Sequence, residues 1–196
     1  MAGLTEVSVA QKACGLVGID PITSFDDQTA EAQAMNVIYD VLIESILGMY
    51  PWRFASKQVA LSLDAETPAG RWDYAWQLPT DVLNIQAVTV NDSIIDFDRY
   101  NQYIFCGYDS NNTVVLDYTF REDEERWPGY FTYPVVLKLA SILASSVQER
   151  ANLAEMFDQK GDVELMKAGT RDSQGRTSRQ INLNRIKSGR RGNWRG

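Results

Sequence analysis

The stretch LGMYPWRFASKQVALSL, residues 47–63, contains the point at which the hydrophobic pattern changes from helical to strand spacing. Before it, apolar residues recur at intervals of three and four, whereas Val59, Leu61 and Leu63 alternate with other residues. Pro51 ends the helix, because proline lacks an amide hydrogen and disfavours helical backbone in the residue before it. The stretch therefore predicts a helix, a structured corner and a first strand.

The helix before this corner has the clearest pattern in the sequence. From Thr29 to about Met49, apolar residues form a stripe with i, i+3 and i+4 spacing. Ser24 followed by Asp27 resembles a capping box at the start of this helix. An earlier amphipathic segment, residues 3–18, predicts a first helix that ends near its final glycine. The stripe of the longer helix consists of Ala30, Ala34, Val37, Ile38, Val41, Leu42, Ile46 and Met49.

Between residues 56 and 120 the sequence has the pattern of short strands. Its β-branched and aromatic runs are separated by the turn segments TPAG, NDS and DSNN. Short strands with turns between them favour a small antiparallel β region over alternating strands and helices. The runs are KQVALSLD, RWDYAWQLP, VLNIQAVTV, QYIFCGY and NTVVLDYTF.

Two further helices are predicted after the β region. Pro134 fits the first turn of a third helix, where no amide donor is needed. A fourth helix, from about Leu153 to Ser173, is weakened by Gly161 and Gly169, each costing about 1 kcal/mol relative to alanine. The predicted fold class is α+β, mainly an α-helical bundle of about four helices with an inserted small antiparallel β region and an extended C-terminal arm. The predicted domains are residues 1–55 and 128–176 for the helical bundle, residues 56–127 for the β insertion and residues 177–196 for a flexible basic arm.

Charge is segregated along the chain. The 196 residues include 19 Lys and Arg against 26 Asp and Glu, a net charge of −7. From residue 170 onward there are eight basic residues and one acid, so residues 1–169 carry a net charge of −14. An acidic body thus precedes a basic tail.

The sequence gives little support to an enzyme. It contains no histidine, which is the commonest general base and metal ligand. Asp92, Asp96 and Asp98 could hold a hard cation, but we favour an acidic, solvated hairpin. The acidic run REDEERW is interpreted as complementing the dipole of the following helix. No phosphate-binding glycine loop occurs, so we expect no catalytic residues, metal or cofactor.

Cys14 and Cys106 are interpreted as reduced thiols in the core. The longest apolar stretch, PVVLKLASILA, is too short for a membrane span, and the N-terminus lacks the pattern of a signal peptide. These features predict a soluble, unexported protein.

Seven aromatic residues fall within the β region. A base-stacking platform would need basic residues among them, but their neighbours are mainly acidic, Arg71 and Arg99 being the exceptions. We therefore favour core packing or a protein interface. The residues are Trp72, Tyr74, Trp76, Tyr100, Tyr103, Phe105 and Tyr108.

A set of motifs extends through most of residues 4–176. A helix of the form S-x-D-D…A…Y-D-x-x-x-x-x-x-L runs into PWxFA and a strand, and a segment with Tyr, Leu-Pro and D-x-L follows. The matching residues are Ser24, Asp26, Asp27, Tyr39, Asp40, Leu47, Pro51, Trp52, Phe54, Ala55, Tyr74, Leu78, Pro79, Asp81 and Leu83.

With these motifs the sequence resembles the tail tubular protein A family, the head-to-tail adaptors of short-tailed phages. The segment LAEMFDQKGDVELMKAGTRDSQGR resembles the last helix of that family, although AGTRDSQ replaces the usual alanine-rich ARxxDAQ form. Pro51, Trp52, Phe54 and Ala55 form the signature structural corner of the resemblance.

The resemblance implies a structural virion protein without catalysis or cofactor, located at the head–tail interface. It implies a homo-oligomeric ring, a dodecamer, that binds the portal protein and receives the tail nozzle, a protein similar to tail tubular protein B. DNA contacts the ring only in transit through the ejection channel, and no membrane is involved.

The basic tail has the composition of the arm that such adaptors extend to the portal and to neighbouring subunits. Its arginines can pair with carboxylates and its tryptophan can act as an anchor. We expect the arm to be disordered in the free subunit and to become ordered on docking. The expected docking residues are Ile181, Leu183, Arg185, Ile186, Lys187, Arg190, Arg191, Trp194 and Arg195.

The same tail permits a different class of function, that of a small DNA-binding protein whose basic C-terminal tail contacts phosphates. The acidic body favours the adaptor, because a negatively charged channel wall repels DNA and prevents it from sticking. An enzyme that uses Asp92, Asp96 and Asp98 has the weakest support of the three.

Overall fold

The computed structural model of the chain describes residues 3–65, 68–148 and 150–174. Within these residues the protein is α+β, with four α-helices and two small antiparallel sheets of four strands each. The predicted α+β class and the four predicted helices are therefore confirmed. The predicted arm, residues 177–196, lies outside the described residues.

Two helices precede the strands and two follow them. The helices are α1 (Glu6–Val17), α2 (Ala30–Met49), α3 (Gly129–Ser146) and α4 (Ala151–Gln174), with a short 3₁₀ helix at Glu124–Arg126. The strands are β1 (Ser56–Ala60), β2 (Ser62–Leu63), β3 (Tyr74–Gln77), β4 (Val82–Val90), β5 (Ser93–Ile94), β6 (Asp98–Tyr100), β7 (Tyr103–Cys106) and β8 (Val114–Phe120).

The first helix has well-formed ends. Thr5 and Ser8 form a reciprocal capping box at its start, which satisfies amide groups that lack helical partners. At its other end Gly18 adopts a left-handed conformation with φ of 79°, as a glycine C-cap does. The first helix thus ends where the sequence predicted.

The cap of α2 differs from the prediction. The Thr29 side chain accepts a hydrogen bond from the amide of Ala32 at 3.2 Å and begins the helix. The Asp27 carboxylate instead accepts the amides of Thr23 and Ser24 at 2.8 and 3.0 Å. These hydrogen bonds lower the pKa of Asp27. The predicted Ser24–Asp27 capping box is therefore a turn ahead of the helix.

The predicted core stripe of α2 is partly wrong. Val37, Val41 and Met49 are exposed by 78%, 62% and 60%. The buried side of α2 instead includes Tyr39 and Ile43, which belong to the helical core. Both sides of α2 carry apolar residues, so periodicity alone could not identify the buried one.

The third helix begins earlier than predicted. Its first residue is Gly129, so Pro134 lies in its second turn rather than its first. There proline removes the hydrogen bond that would reach the carbonyl of Tyr130. Phe131, in the extra turn, is fully buried and packs edge-on against Trp127 with ring centres 5.0 Å apart. Burial of this aromatic ring favours helix ahead of the proline.

The fourth helix continues through both of its glycines. At Gly161 an added Cβ would lie 3.1 Å from the side chain of Lys138, and at Gly169 one would lie 3.4 Å from the ring of Tyr50. The missing side chain of Gly161 allows α4 to approach α3 closely, whereas a side chain at Gly169 would make an ordinary contact with the corner. Packing therefore offsets the low helix propensity that predicted a weak element.

Alanine substitutions at these two glycines should have different effects on the free energy of unfolding. We expect Gly169→Ala to raise the free energy of unfolding by about 0.5–1 kcal/mol, because alanine favours helix and the contact with Tyr50 is an ordinary one. Gly161→Ala should gain less, since the Lys138 side chain must move. Urea unfolding of both variants measures the difference, and a larger gain at Gly161 would contradict it.

The strands form two sheets, with orders β1-β8-β4-β5 and β2-β3-β7-β6. The run KQVALSLD, predicted as one strand, crosses from one sheet to the other at Leu61. The Leu61 amide donates to the carbonyl of Val114 at 2.8 Å, and its side chain belongs to the β core. The interruption at Leu61 therefore marks the point at which the chain passes from the first sheet to the second.

Buried hydrophobic residues form two clusters, one among the helices and one between the sheets. Cys14 lies in the first and Cys106 in the second, and both are fully buried free thiols, as predicted. The helical part and the β part meet at the corner, where the amide of Phe120 donates to the carbonyl of Ala55 at 3.0 Å. In the described part of the chain, no helix combines the length and apolar composition needed to span a membrane.

Candidate functional site

The signature corner lies where α2 ends and β1 begins, and Trp52 is its centre. The Trp52 side chain is fully buried, and its indole Nε1 donates to the carbonyl of Ile46 at 3.0 Å. Its ring packs edge-on against Phe131, with centres 5.0 Å apart, while Phe54 lies 4.8 Å from the same Phe131 ring. Hydrogen bonding and aromatic packing together fix the direction in which the chain leaves α2.

Asp172 connects this corner to the end of α4. Its carboxylate accepts the amide of Arg53 at 2.8 Å and the hydroxyl of Tyr130 at 2.7 Å. The aspartate is only 7% exposed. Burial, followed by the hydrogen bond to Asp172, raises the pKa of Tyr130 to about 12. One buried carboxylate thus holds together the corner and the ends of two helices.

A cleft of about 420 Å³ lies beside the corner. Its walls include Pro51 and Arg53 from the corner and Met166 and Ser173 from α4. Because Ser173 is in the last turn of α4, the described part of the chain ends next to this cleft. The predicted docking residues between 181 and 195 lie outside the described residues.

A second polar cluster surrounds Arg121. Its guanidinium lies 2.5 Å from Glu124, 3.7 Å from Glu6 and 3.9 Å from Asp40. Burial and repulsion by Glu124 and Asp40 raise the pKa of Glu6, while Arg121 opposes this rise. Arg121 therefore lies close to three carboxylates from different parts of the chain.

Glu124 also connects this cluster to α2. Its carboxylate accepts the hydroxyl of Tyr39 at 3.1 Å, and burial followed by the charge of Glu124 raises the pKa of Tyr39. The cap position of α3 is Pro128, without a side-chain cap hydrogen bond. The hydrogen-bond partners of Glu124 are therefore Tyr39 and Arg121 and not the first amides of α3. The Tyr-Asp of the motif includes Tyr39, so the sequence pointed to this residue. Its hydrogen-bond partner Glu124 lies 85 positions away, where no local pattern connects the two.

The three aspartates of NDSIIDFDR do not form a common site. Asp92 occupies the β4–β5 turn, where Asn91 and Asp92 have φ of 49° and 61°, as in type I′ hairpins. Asp98 begins β6 and accepts hydrogen bonds from Arg71 and the Trp72 indole at 2.8 and 2.7 Å. Asp96 lies between β5 and β6, not on a strand with Asp98. Among the described residues, no group of three or more His, Cys, Asp or Glu side chains is arranged to hold a metal ion.

The aromatic residues of the β region have two different environments. Trp76 is buried, and its indole donates to the carbonyl of Tyr108 at 3.1 Å. Trp72, Tyr100 and Phe105 instead line a cleft of about 850 Å³, with Tyr100 and Phe105 ring centres 5.1 Å apart. Core packing thus describes Trp76, and an aromatic cleft describes Trp72, Tyr100 and Phe105.

Scans of the sequence against protein-family models and against curated proteins find no significant match. The motif residues and their geometry therefore carry the functional argument.

Proposed function

We propose that this protein is a head-to-tail adaptor of a short-tailed phage virion, a structural protein without catalytic activity. In this proposal twelve copies form a ring that joins the portal to the tail nozzle and encloses part of the DNA ejection channel. The basic residues 177–196 form an arm that docks on the portal or on a neighbouring subunit. DNA meets the ring only in transit.

The observation that carries the proposal is the contact between the corner and the end of α4. The resemblance relates the PWRFA corner to a final segment that reads TRDSQ here, and Arg53 and Asp172 of these segments are hydrogen bonded across 119 positions. Another motif residue, Asp81, accepts hydrogen bonds from Lys57 of β1 and Tyr118 of β8. The corner and the final segment are thus joined by the Arg53 amide, and Asp81 bonds to two neighbouring strands, so the motif segments lie at the joints of the fold.

The charge distribution supports the same proposal. The net charge of −14 over residues 1–169 suits the wall of a channel through which DNA must slide, because the wall repels phosphates. The opposite charge of the tail suits carboxylates on a protein partner. A protein that held DNA firmly would gain affinity from positive charge on its body as well.

The test is the native mass of the full chain mixed with the portal protein of its own phage, measured at several salt concentrations. The matched variant ends at Gln174, because an earlier end would remove Asp172 and disturb the corner. We expect a ring of stoichiometric composition on the portal with the full chain, and loss of that complex with the truncated chain.

A different result would support the DNA-binding alternative. If no portal complex forms, and the tail instead confers DNA affinity that falls steeply with salt, the adaptor proposal is wrong. Equal melting temperatures for the full and truncated chains are the control that the body of the protein remains folded.

A further inference from the structure

Two helices expose apolar strips of similar length. The α2 face consists of Val37, Val41 and Met49, and the α4 face of Met156, Val163 and Met166. At 1.5 Å per residue the strips are about 18 and 15 Å long. The three α4 side chains are exposed by 51%, 44% and 57%. Exposed apolar side chains grouped along one side of a helix are typical of an interaction surface.

The charges beside the two faces are opposite. The α2 sequence contains Glu31, Asp40 and Glu44 but neither Lys nor Arg, and Glu44 lies on the same side as Val37 and Val41 by helical spacing. By the same spacing, Lys160 and Lys167 lie beside Met156 and Val163.

Three acids of α4 form ion pairs within this chain. Lys138 of α3 binds Asp158 and Asp162 at 2.7 and 2.5 Å. Glu164 pairs with Lys167 at 2.7 Å. Lys160 lies 5.8 Å from the ring of Tyr133, and in the described part of the chain it forms no ion pair. The α4 face is therefore apolar, with Lys160 as the basic flanking residue that is open to a partner.

We propose that the α2 face of one copy docks on the α4 face of a second copy of this chain. The valines and methionines supply apolar contact, while Glu44 meets Lys160 at the edge. This inference deepens the proposed function, on which it depends for the closed ring. A contact between two different surfaces can continue from copy to copy, and it closes as a ring where the rotation permits.

Charge argues against the two symmetric alternatives. Two α2 faces in contact would bring Glu44 of one copy towards Glu44 of the other, and two α4 faces would bring Lys160 of one copy towards Lys160 of the other. Like charges placed together at an interface are unfavourable and exclude the wrong pairing. The pairing of unlike faces avoids this repulsion.

Single-cysteine variants of the full chain test the pairing. Val41→Cys and Val163→Cys are prepared separately, mixed, and treated with a short bismaleimide crosslinker, with and without portal present. The native thiols, Cys14 and Cys106, are fully buried and should not react. We expect a crosslinked dimer only in the mixture. In the control mixture, Ile94→Cys replaces Val41→Cys, because Ile94 lies on β5 and is 76% exposed. This control mixture should give no dimer.

A charge exchange provides the second measurement. Glu44→Lys and Lys160→Glu should each reduce assembly in native mass spectra, and combining the two changes in one chain should restore it. Melting temperatures close to that of the unmodified protein show that the variants fold.

The outcomes separate this inference from the proposed function. If rings form on the portal but the yield of the α2–α4 crosslink does not exceed that of the Ile94→Cys control, the inference is wrong and the adaptor role stands. A specific α2–α4 crosslink without portal binding supports the pairing and contradicts the adaptor role. Absence of both the crosslink and the portal complex contradicts both proposals.

Discussion

Replacing Trp52 by alanine is expected to lower the free energy of unfolding by about 3–5 kcal/mol. The side chain is fully buried, and its ring contacts Tyr50, Phe54 and Phe131. Alanine would leave a cavity where α2, β1 and α3 meet, and the carbonyl of Ile46 would lose its indole donor. Denaturant unfolding followed by circular dichroism measures the loss.

Trp72→Ala is the matched control. Trp72 is partly exposed and lies at the edge of the β region, where its indole donates to Asp98. We expect a clearly smaller loss of stability there, because less apolar surface is removed from the interior. If the two variants lose similar stability, or if Trp52→Ala unfolds at an unchanged midpoint, burial of Trp52 does not stabilise the corner as proposed.

Replacing Arg121 by leucine is expected to cost about 3 kcal/mol at neutral pH, because removing one partner of a buried ion pair leaves the other uncompensated. Glu124 is the buried partner, with a side chain 8% exposed, and Arg121 itself is 24% exposed. Some solvent screening therefore remains, and we place the loss at the low end of the range for buried pairs. Thermal and denaturant unfolding at pH 7 measure this loss.

The loss should depend on pH. Arg121 opposes the rise in the pKa of Glu6 that burial, Glu124 and Asp40 cause, so the pKa of Glu6 rises further in the variant. A carboxyl group whose pKa is raised by folding contributes stability below its unfolded pKa and loses that contribution as the pH rises through its folded pKa. The penalty should therefore be largest at neutral pH and decrease as the pH falls towards about 4.

Two further variants distinguish charge from packing, since Arg121 also lies 5.5 Å from the ring of Trp127. Arg121→Lys keeps the charge and should lose much less stability than Arg121→Leu. Adding Glu124→Gln to Arg121→Leu should recover part of the loss, because the uncompensated charge is removed. A penalty that stays constant between pH 4 and pH 7 would show that packing, not charge, is responsible.

The sequence predicted those features that depend on local pattern. The end of α1 at Gly18 and the end of α2 before Pro51 follow from the backbone preferences of glycine and proline. The change from helical to strand spacing at the corner followed from periodicity. These preferences act over a few residues, so they can be read without knowledge of the fold.

Other features depended on neighbours far away in the chain. Gly161 and Gly169 predicted a weakened helix, but α4 is continuous through both and packs against Lys138 and Tyr50 there. The side of α2 that carries Val37 and Val41 had the apolar pattern of a core, yet it is exposed. Such outcomes depend on which surfaces pack together. A helical pattern indicates only that one side of the helix is buried, and it does not identify the element that covers that side.

The sequence by itself determined the α+β class, the four helices, the corner and the opposite charges of body and tail. Only the tertiary structure decided that Asp172 bonds to Arg53, that Glu124 bonds to Tyr39 and that apolar strips of α2 and α4 are exposed among the described residues. Local backbone preference and periodicity act between neighbours in the chain. Long-range hydrogen bonds and burial depend on how the elements pack, and packing brings together residues that no local pattern connects.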